Sequence, residues 1–426
     1  MVILRGTSDG FGWVGVQANS STRNTLMSKQ SQPVRQILRS GTARDGAPVS
    51  PVVHAGDLLF TGGQVALDAN GVITGDLEAQ AHALFTRLRD ILEQAGGSLR
   101  DILALVSFHT DVRDIETVFN IGREYFPSEY PAWTPVGYLG CQHRGARLMI
   151  RAIAHLGKEP RQCFLPDSQA WLKKYPVSSA CKKGSLVFIS GQTAADRDGN
   201  CAHPLDHVEQ ARVCYQRMLE VVGQAGGKVT DLLDFTSFHL DIRGGPATFE
   251  KVYMPDVMGT IHCNEAAVTS HVGAAGLLNT DMLAAYTSIA DLTPGGRVGS
   301  TPDSIWWKDI YPIAGAAKKG HGTLVCVAGQ VASASDGSPM FVGDSPGQVR
   351  FIFEAMRETL EGFGLTMGHV AEITAFQKDV RHWDVVMNVA KDFFDMSAPP
   401  AFSFPSMTGL WFEGFRHEIS ALAISD

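Results

Sequence analysis

Leu58-Leu59-Phe60-Thr61-Gly62-Gly63-Gln64 is an apolar strand that stops on Gly-Gln, and the chain contains it three times. The second copy is Leu186-Val187-Phe188-Ile189-Ser190-Gly191-Gln192 and the third Leu324-Val325-Cys326-Val327-Ala328-Gly329-Gln330. The glutamines stand 128 residues apart (192 − 64) and then 138 (330 − 192). Repeats come first in reading a sequence, because a missed one mis-assigns the whole fold. A second anchor keeps step. It reads Phe108-His109-Thr110-Asp111-Val112-Arg113, then Phe238-His239-Leu240-Asp241-Ile242-Arg243, then Phe376-Gln377-Lys378-Asp379-Val380-Arg381. Its aspartates are 130 (241 − 111) and 138 (379 − 241) residues apart. A third anchor closes each copy: Ile150-Arg151-Ala152-Ile153-Ala154, Thr287-Ser288-Ile289-Ala290 and Ile419-Ser420-Ala421-Leu422-Ala423. Anchors that recur with matching offsets make three copies of one unit.

Each copy carries the same run of periodicities. Turn signals follow the Gly-Gln strand, as in Asp68-Ala69-Asn70-Gly71. Apolar residues at helical spacing (Leu84, Leu88, Ile91, Leu92) predict helices over 81–94, 208–224 and 348–363. Gly96-Gly97, Gly226-Gly227 and Gly364 stop them. The anchor strand, a second helix (115–125, 247–257, 383–394) and two final strands complete the unit. Asp111, Asp241 and Asp379 fit the end of the anchor strand, as caps for the turn that follows. The outline is β-β-α-β-α-β-β, an α+β layer with helices on one sheet face.

The chain has 426 residues, of which 44% are apolar and 19% charged, so it can bury large cores. Lys and Arg total 36 against 44 Asp and Glu, a net charge of −8 that speaks against broad nucleic-acid binding. No apolar run reaches the roughly 18 residues of a membrane span. The seven cysteines are scattered with no Cys-x-x-Cys, which points away from disulfides and zinc and toward a reducing, cytoplasmic setting. No histidine or cysteine shows metal-ligand spacing, so no metal and no cofactor is expected.

Residues 1–46 hold six basic side chains and few acidic ones. They read as a flexible arm or a leader upstream of a start at Met27, with an organelle transit peptide as the rival. The repeats are expected at 47–157, 176–292 and 312–426. Linkers over 158–175 and 293–311 carry Phe164, Trp171, Trp306 and Trp307, aromatics that suit ordered connectors packed on the domains.

Pro51-Val52-Val53-His54-Ala55-Gly56-Asp57-Leu58-Leu59-Phe60-Thr61-Gly62-Gly63-Gln64 resembles the opening strands of the Rid (YjgF/YER057c/UK114) family. So do the Gln80 helix, the Ala95-Gly96-Gly97 stop, the Phe-x-x-Asp anchor and the Ile-x-Ala-Ile-Ala strand. The resemblance implies a YjgF-like, chorismate-mutase-like unit and a trimer with a site in each cleft between protomers. Three fused copies then make one chain a pseudo-threefold trimer, with further dimerisation left open. Fusion turns assembly into an intramolecular event and frees the three clefts to diverge. The family's activity is imine and enamine deamination. An endoribonuclease activity has also been attached to it, and the acidic balance gives that no support here.

The resemblance also implies two chemical positions. An arginine in Pro-Ala-Arg holds the substrate carboxylate. Here the matching residues are Trp133 and Phe402, with the second copy placed near Asn264-Glu265-Ala266-Ala267. A glutamate on the closing strand positions water. It falls on Met149 and near Ala285, and survives only as Glu418. Glu418 is therefore the first catalytic candidate, as general acid and base. His109 and His239 share one repeat position and are secondary candidates, either general bases or polar groups satisfied inside the core. Gln377 takes their place in the third copy. Trp133 and Phe402 offer flat surfaces that suit an aromatic or heterocyclic ligand. Arg147, Arg151 and Arg416 are the arginines that could replace the lost cation. Ser190 and Gly191 complete the substrate-binding candidates, through a hydroxyl and backbone N–H groups.

These residues lead to a cofactor-free hydrolase that releases ammonia from an unsaturated or ring-derived amine, a small-molecule substrate. One rival is a ring-opening cyclic amide hydrolase, which also builds three units into one chain and would depend on Ser190. The other is a non-catalytic small-molecule-binding protein, since the arginine is lost three times and the glutamate twice.

Overall fold

The computed structural model describes residues 35–37, 49–258, 262–279, 281–308 and 310–425. The expected leader or arm lies outside the described residues apart from Arg35–Ile37, which pairs antiparallel with Val52–Ala55. The protein is α+β, with three sheets that each carry helices. Each sheet has one order. In the first repeat it runs Arg35–Ile37, Val52–Ala55, Leu58–Thr61, Leu148–His155, Ile102–His109, Ala132–Gly137. Only the last pair is parallel, because a helix crosses over between its strands. The leading edge strand recurs at Gln162–Phe164 and Arg297–Ser300, so both linkers contribute a strand to the repeat that follows them.

The first long helices begin at Leu77, His207 and Ser345, ahead of the periodicity-based starts at 81, 208 and 348. Asp76, Asp206 and Asp344 set those starts. Each side chain accepts the backbone N–H three residues on, from Ala79, Glu209 and Gly347. The second helix of the middle repeat differs from its counterparts. After Gly245–Thr248 the chain winds as a π-helix over Phe249–Met258, with Pro255 inside it. The proline ring crowds the carbonyl four residues back, which disfavours a regular α-turn there.

Helices cover the outer faces, where Phe85, Leu88, Phe119 and Trp133 form the first repeat's core and Phe353, Met356, Val386 and Phe402 the third's. The inner faces of the three sheets meet one another. Phe108, Phe238 and Phe376, equivalent residues of the anchor strand, belong to one shared cluster. Each repeat's parallel edge strand lies over the next repeat's Gly-Gln strand, which closes the ring. Gly191 N–H donates to Thr134 Oγ1 at 2.8 Å, His271 N–H to Glu418 Oε1 at 2.9 Å, and Gly63 N–H to the Phe402 carbonyl at 3.0 Å. The chain is thus a pseudo-threefold trimer in one polypeptide.

Candidate active site

The pairing register settles which residues are equivalent. Phe108 faces Met149, Phe238 faces Ala285 and Phe376 faces Glu418. Glu418 therefore stands alone at the acid position, on the closing strand His417–Ile424. On the neighbouring strand, Leu105 faces Trp133, Phe235 faces Thr269 and Ile373 faces Phe402. The second copy's counterpart of the family arginine is thus Thr269, not a residue of 264–267. Sequence matching slipped because that copy lacks the Pro-Ala that marks the position in the other two.

Glu418 is 3% exposed. Burial pushes its carboxyl up to about 8, and the N–H donated by His271 pulls the other way. It is a carboxylic acid that is largely protonated at neutral pH. Gly329 lies against it, and a Cβ there would come closer than 3.0 Å to Glu418 Oε1. This glycine is required for close approach, not for an unusual φ.

Glu418 lines a cavity of about 70 Å³ between the second and third repeats. The aromatic wall is Phe249, Trp306, Trp307, Tyr311, Trp411 and Phe412, and the polar groups are Thr269, His271 and Glu418. Four separated segments join the Glu418 strand to supply its aromatic and polar side chains. The π-helix brings Phe249, the linker brings Trp306, Trp307 and Tyr311, the strand Val268–Gly273 brings Thr269 and His271, and the loop before Glu418 brings Trp411 and Phe412. His271 and Trp411 lie ring to ring at 4.3 Å, and Phe249 meets both edge-on. Among the described residues that line the cavity, none is Lys or Arg. Such a wall suits a flat, unsaturated ligand, and a protonated acid can give it a proton.

The equivalent clefts are different. Gly191 packs on Thr134 and Ala285, and Gly63 packs on the Met149 sulfur. Neither offers an acid at this position. A wider depression of about 720 Å³ collects Asp57, His155, Asp291 and His321 near the hairpin ends, remote in sequence and strand position from Glu418.

The other sequence candidates fall in several places. Trp133 is in the first repeat's core among Phe85, Phe119 and Phe126, and its indole N–H donates to Ser107 Oγ at 2.8 Å. Phe402 stacks on Phe404 in the third core. His109 is buried with Nε2 2.8 Å from Ser107 Oγ. His239 is buried in the second repeat, bonded to Ser237 and His207. Gln377 is buried on the anchor strand. Arg416 is half-buried, and its backbone N–H is held by Gln348 Oε1. Ser190 Oγ donates to the Ser179 carbonyl. Of the possible replacement cations, Arg147 is paired with Asp114 and Arg151 with Glu372. The structure brings Glu418 together with residues that sequence reading left out: Thr269, His271, Tyr311, Trp411 and Phe412. In sequence, Trp306 and Trp307 read only as linker aromatics.

The family profile described as Endoribonuclease L-PSP matches this chain three times, at residues 44–156, 169–283 and 315–425. The chain belongs to the Rid (YjgF/YER057c/UK114) family. Among its Rid relatives, the 3-aminoacrylate deaminase RutC of Acinetobacter baylyi is 33% identical over 126 residues, 29% of this chain and 99% of that protein. The RutC family protein YjgH of Escherichia coli is 37% identical over 90 residues, 21% of this chain and 69% of that protein. The structure is also similar to a crystal structure of a chorismatase, at 12% identity and a TM-score of 0.51, covering 76% of this chain and 93% of that one. That likeness is one of fold, and it extends over more than two Rid units. No helix of the described residues is long and apolar enough to cross a membrane.

Proposed function

We propose that this Rid protein is an enamine and imine deaminase that works in one cleft, between its second and third repeats, on a flat aromatic or heterocyclic unsaturated amine. The observation that carries the reading is the placement of a buried acid, Glu418, in an aromatic cavity that has no cation. A small 2-imino acid needs a partner for its carboxylate. A ring-borne imine needs only apolar walls and an acid. The relative named as a 3-aminoacrylate deaminase supports the reaction class.

Glu418 begins as the neutral acid and gives its proton to the imine nitrogen, which leaves an iminium and a carboxylate. The carboxylate takes a proton from water as the water oxygen bonds to the carbon. The carbinolamine nitrogen then takes that proton. As the C–N bond breaks, the hydroxyl proton returns to Glu418. The balance is imine plus water to carbonyl plus ammonia, with the acid regenerated. An enamine enters the same path after protonation at carbon.

The test is ammonia release by the purified chain from imines and enamines generated in situ, with aryl and heteroaryl members set against small aliphatic 2-imino acids. The expected result is a higher kcat/KM for the ring-bearing members. Preference for the aliphatic imino acids would exclude the substrate class. Absence of ammonia from all of them, with cyclic amides hydrolysed instead, would favour the amidohydrolase.

A further inference from the structure

Among the described residues, only the middle repeat holds an unbroken chain of side-chain hydrogen bonds from its outer helix to the cavity. His207 stands at the start of the helix His207–Gln224 and is half-buried. Its Nε2 is 2.9 Å from His239 Nδ1. His239 Nε2 is 2.8 Å from Ser237 Oγ, and Ser237 Oγ is 2.6 Å from His271 Nδ1. His271 lines the cavity beside Glu418, is 8% exposed, and has no protein partner at Nε2. Ser237 and His239 are completely buried.

The other repeats lack the path. In the first, Pro135 occupies the position of His271, and Trp133 donates to Ser107 instead. In the third, Ala375 and Gln377 replace Ser237 and His239. A buried polar pair that merely satisfied itself would need neither four members nor an open end in a cavity. The repeat that carries the chain is the one whose edge strand touches Glu418.

We propose that His207, Ser237, His239 and His271 form a proton relay between solvent and the Glu418 cavity. The inference rests on the deaminase reading. Ammonia formed near neutral pH leaves as ammonium, so each turnover takes one proton from solvent. That proton is bound at His207. His207 passes one from Nε2 to His239 Nδ1, His239 passes one from Nε2 to Ser237 Oγ, and Ser237 passes its own to His271 Nδ1. His271 gives the proton on Nε2 to the departing nitrogen. One proton enters, one leaves, and nothing is oxidised or reduced. The rings remain neutral between transfers because burial holds His239 and His271 far below the usual imidazole range. Burial holds His207 below the usual imidazole range, and the carboxylates of Asp241 and Asp206 beside it pull part of the way back. Tyr286 edges His239, while Phe249 and Trp411 enclose His271.

The relay residues other than His271 act through their neighbours, so the test separates proton supply from structure. His207→Ala and Ser237→Ala are compared with the wild type for kcat, KM and solvent isotope effect. Each is expected to lower kcat at least about tenfold, less than the ~10²–10⁴ of a direct acid–base group. KM is expected to hold and the isotope effect to rise. Imidazole buffer is expected to restore the His207→Ala rate in a saturable way and to leave Ser237→Ala slow. Gly244→Ala is a third variant, since a Cβ there would meet the His207 ring and displace it. It is expected to behave as His207→Ala does. Wild-type kcat and isotope effects in all three would overturn the relay and leave the deaminase reading standing. If the wild type itself releases no ammonia, that reading fails. Imidazole nitrogen-15 shifts then decide the relay. Coupled changes at His239 and His271 in Ser237→Ala and His207→Ala support it, and independence of the rings overturns it.

Discussion

Glu418→Gln lowers ammonia release by about 10²–10⁴-fold, the usual contribution of a positioned acid–base group. The amide keeps the size and can still accept the N–H of His271, so the cavity survives. Stability moves the other way at high pH. The folded carboxyl titrates near 8, above its ordinary value of 4.5, because ionising it costs hydration. Its contribution to stability is therefore complete below about 4.5 and is lost as pH rises through 8. Glutamine has no charge to desolvate. The variant is expected to melt above the wild type at pH 8–9 and to lose that advantage toward pH 5. The wild-type rate is expected to fall as pH climbs through about 8, since the acid form starts the reaction. A Glu418→Gln variant with full activity would remove Glu418 from the chemistry. A variant that loses both activity and cooperative unfolding would show that its effect is structural.

Arg151→Met costs about 3–5 kcal/mol of unfolding free energy, the range for removing one partner of a buried ion pair. Arg151, on the first repeat's closing strand, places Nη2 2.7 Å from Glu372 Oε2 on the third repeat's anchor strand. The glutamate side chain is 2% exposed, and Thr374 Oγ1 donates to its other oxygen. By register, Ala104 and Asp234 occupy the position of Glu372, while Thr287 and Ser420 occupy that of Arg151. Among the described residues, the three-fold axis thus carries a single arginine against two acids, the buried Glu372 and the half-buried Asp234. A homotrimer would place three copies of each residue there, so this asymmetry is available only to a fused chain. Arg151→Met leaves Glu372 buried without its cation, and urea unfolding should show the loss in full. Arg151→Met with Glu372→Met should recover most of it, because paired apolar groups need no compensation. A single variant as stable as the wild type would mean that the pair does not hold the first and third repeats together.

The fold was legible because it rests on local signals repeated three times. Leu-Val-Phe runs, Gly-Gln stops and Phe-x-x-Asp anchors report backbone requirements that each copy must meet. The helix starts were less legible. Asp76, Asp206 and Asp344 all precede the apolar stripe, and periodicity finds the stripe, not the cap. Glu418 was legible as a candidate because it lies on a well-marked strand. The rest of its site could not. Phe249, His271, Tyr311 and Trp411 come from four segments, and only the packing of one repeat on the next brings them together. Thr269 was missed for a different reason. Its copy lacks the Pro-Ala landmark, and only strand register supplies the equivalence. His239 is legible as a repeated histidine, but its hydrogen-bonded run to His207, Ser237 and His271 has no signal in their sequence spacing. Trp133 shows the opposite error. A tryptophan at a family binding position reads as a ligand surface, whereas it fills the first repeat's core and donates to Ser107.

If one cleft of three does the chemistry, three equivalent glycines separate it from the others. A Cβ at Gly63, Gly191 or Gly329 would come closer than 3.0 Å to Met149, Thr134 or Glu418 respectively. Gly63→Ala, Gly191→Ala and Gly329→Ala therefore apply the same small steric insult to each cleft. Ammonia release from a ring-bearing imine is measured for all three, with melting temperature as the check on folding. Gly329→Ala is expected to lose nearly all activity while the other two folded variants retain it. Equal losses in the three, or a loss confined to Gly63→Ala or Gly191→Ala, would contradict it.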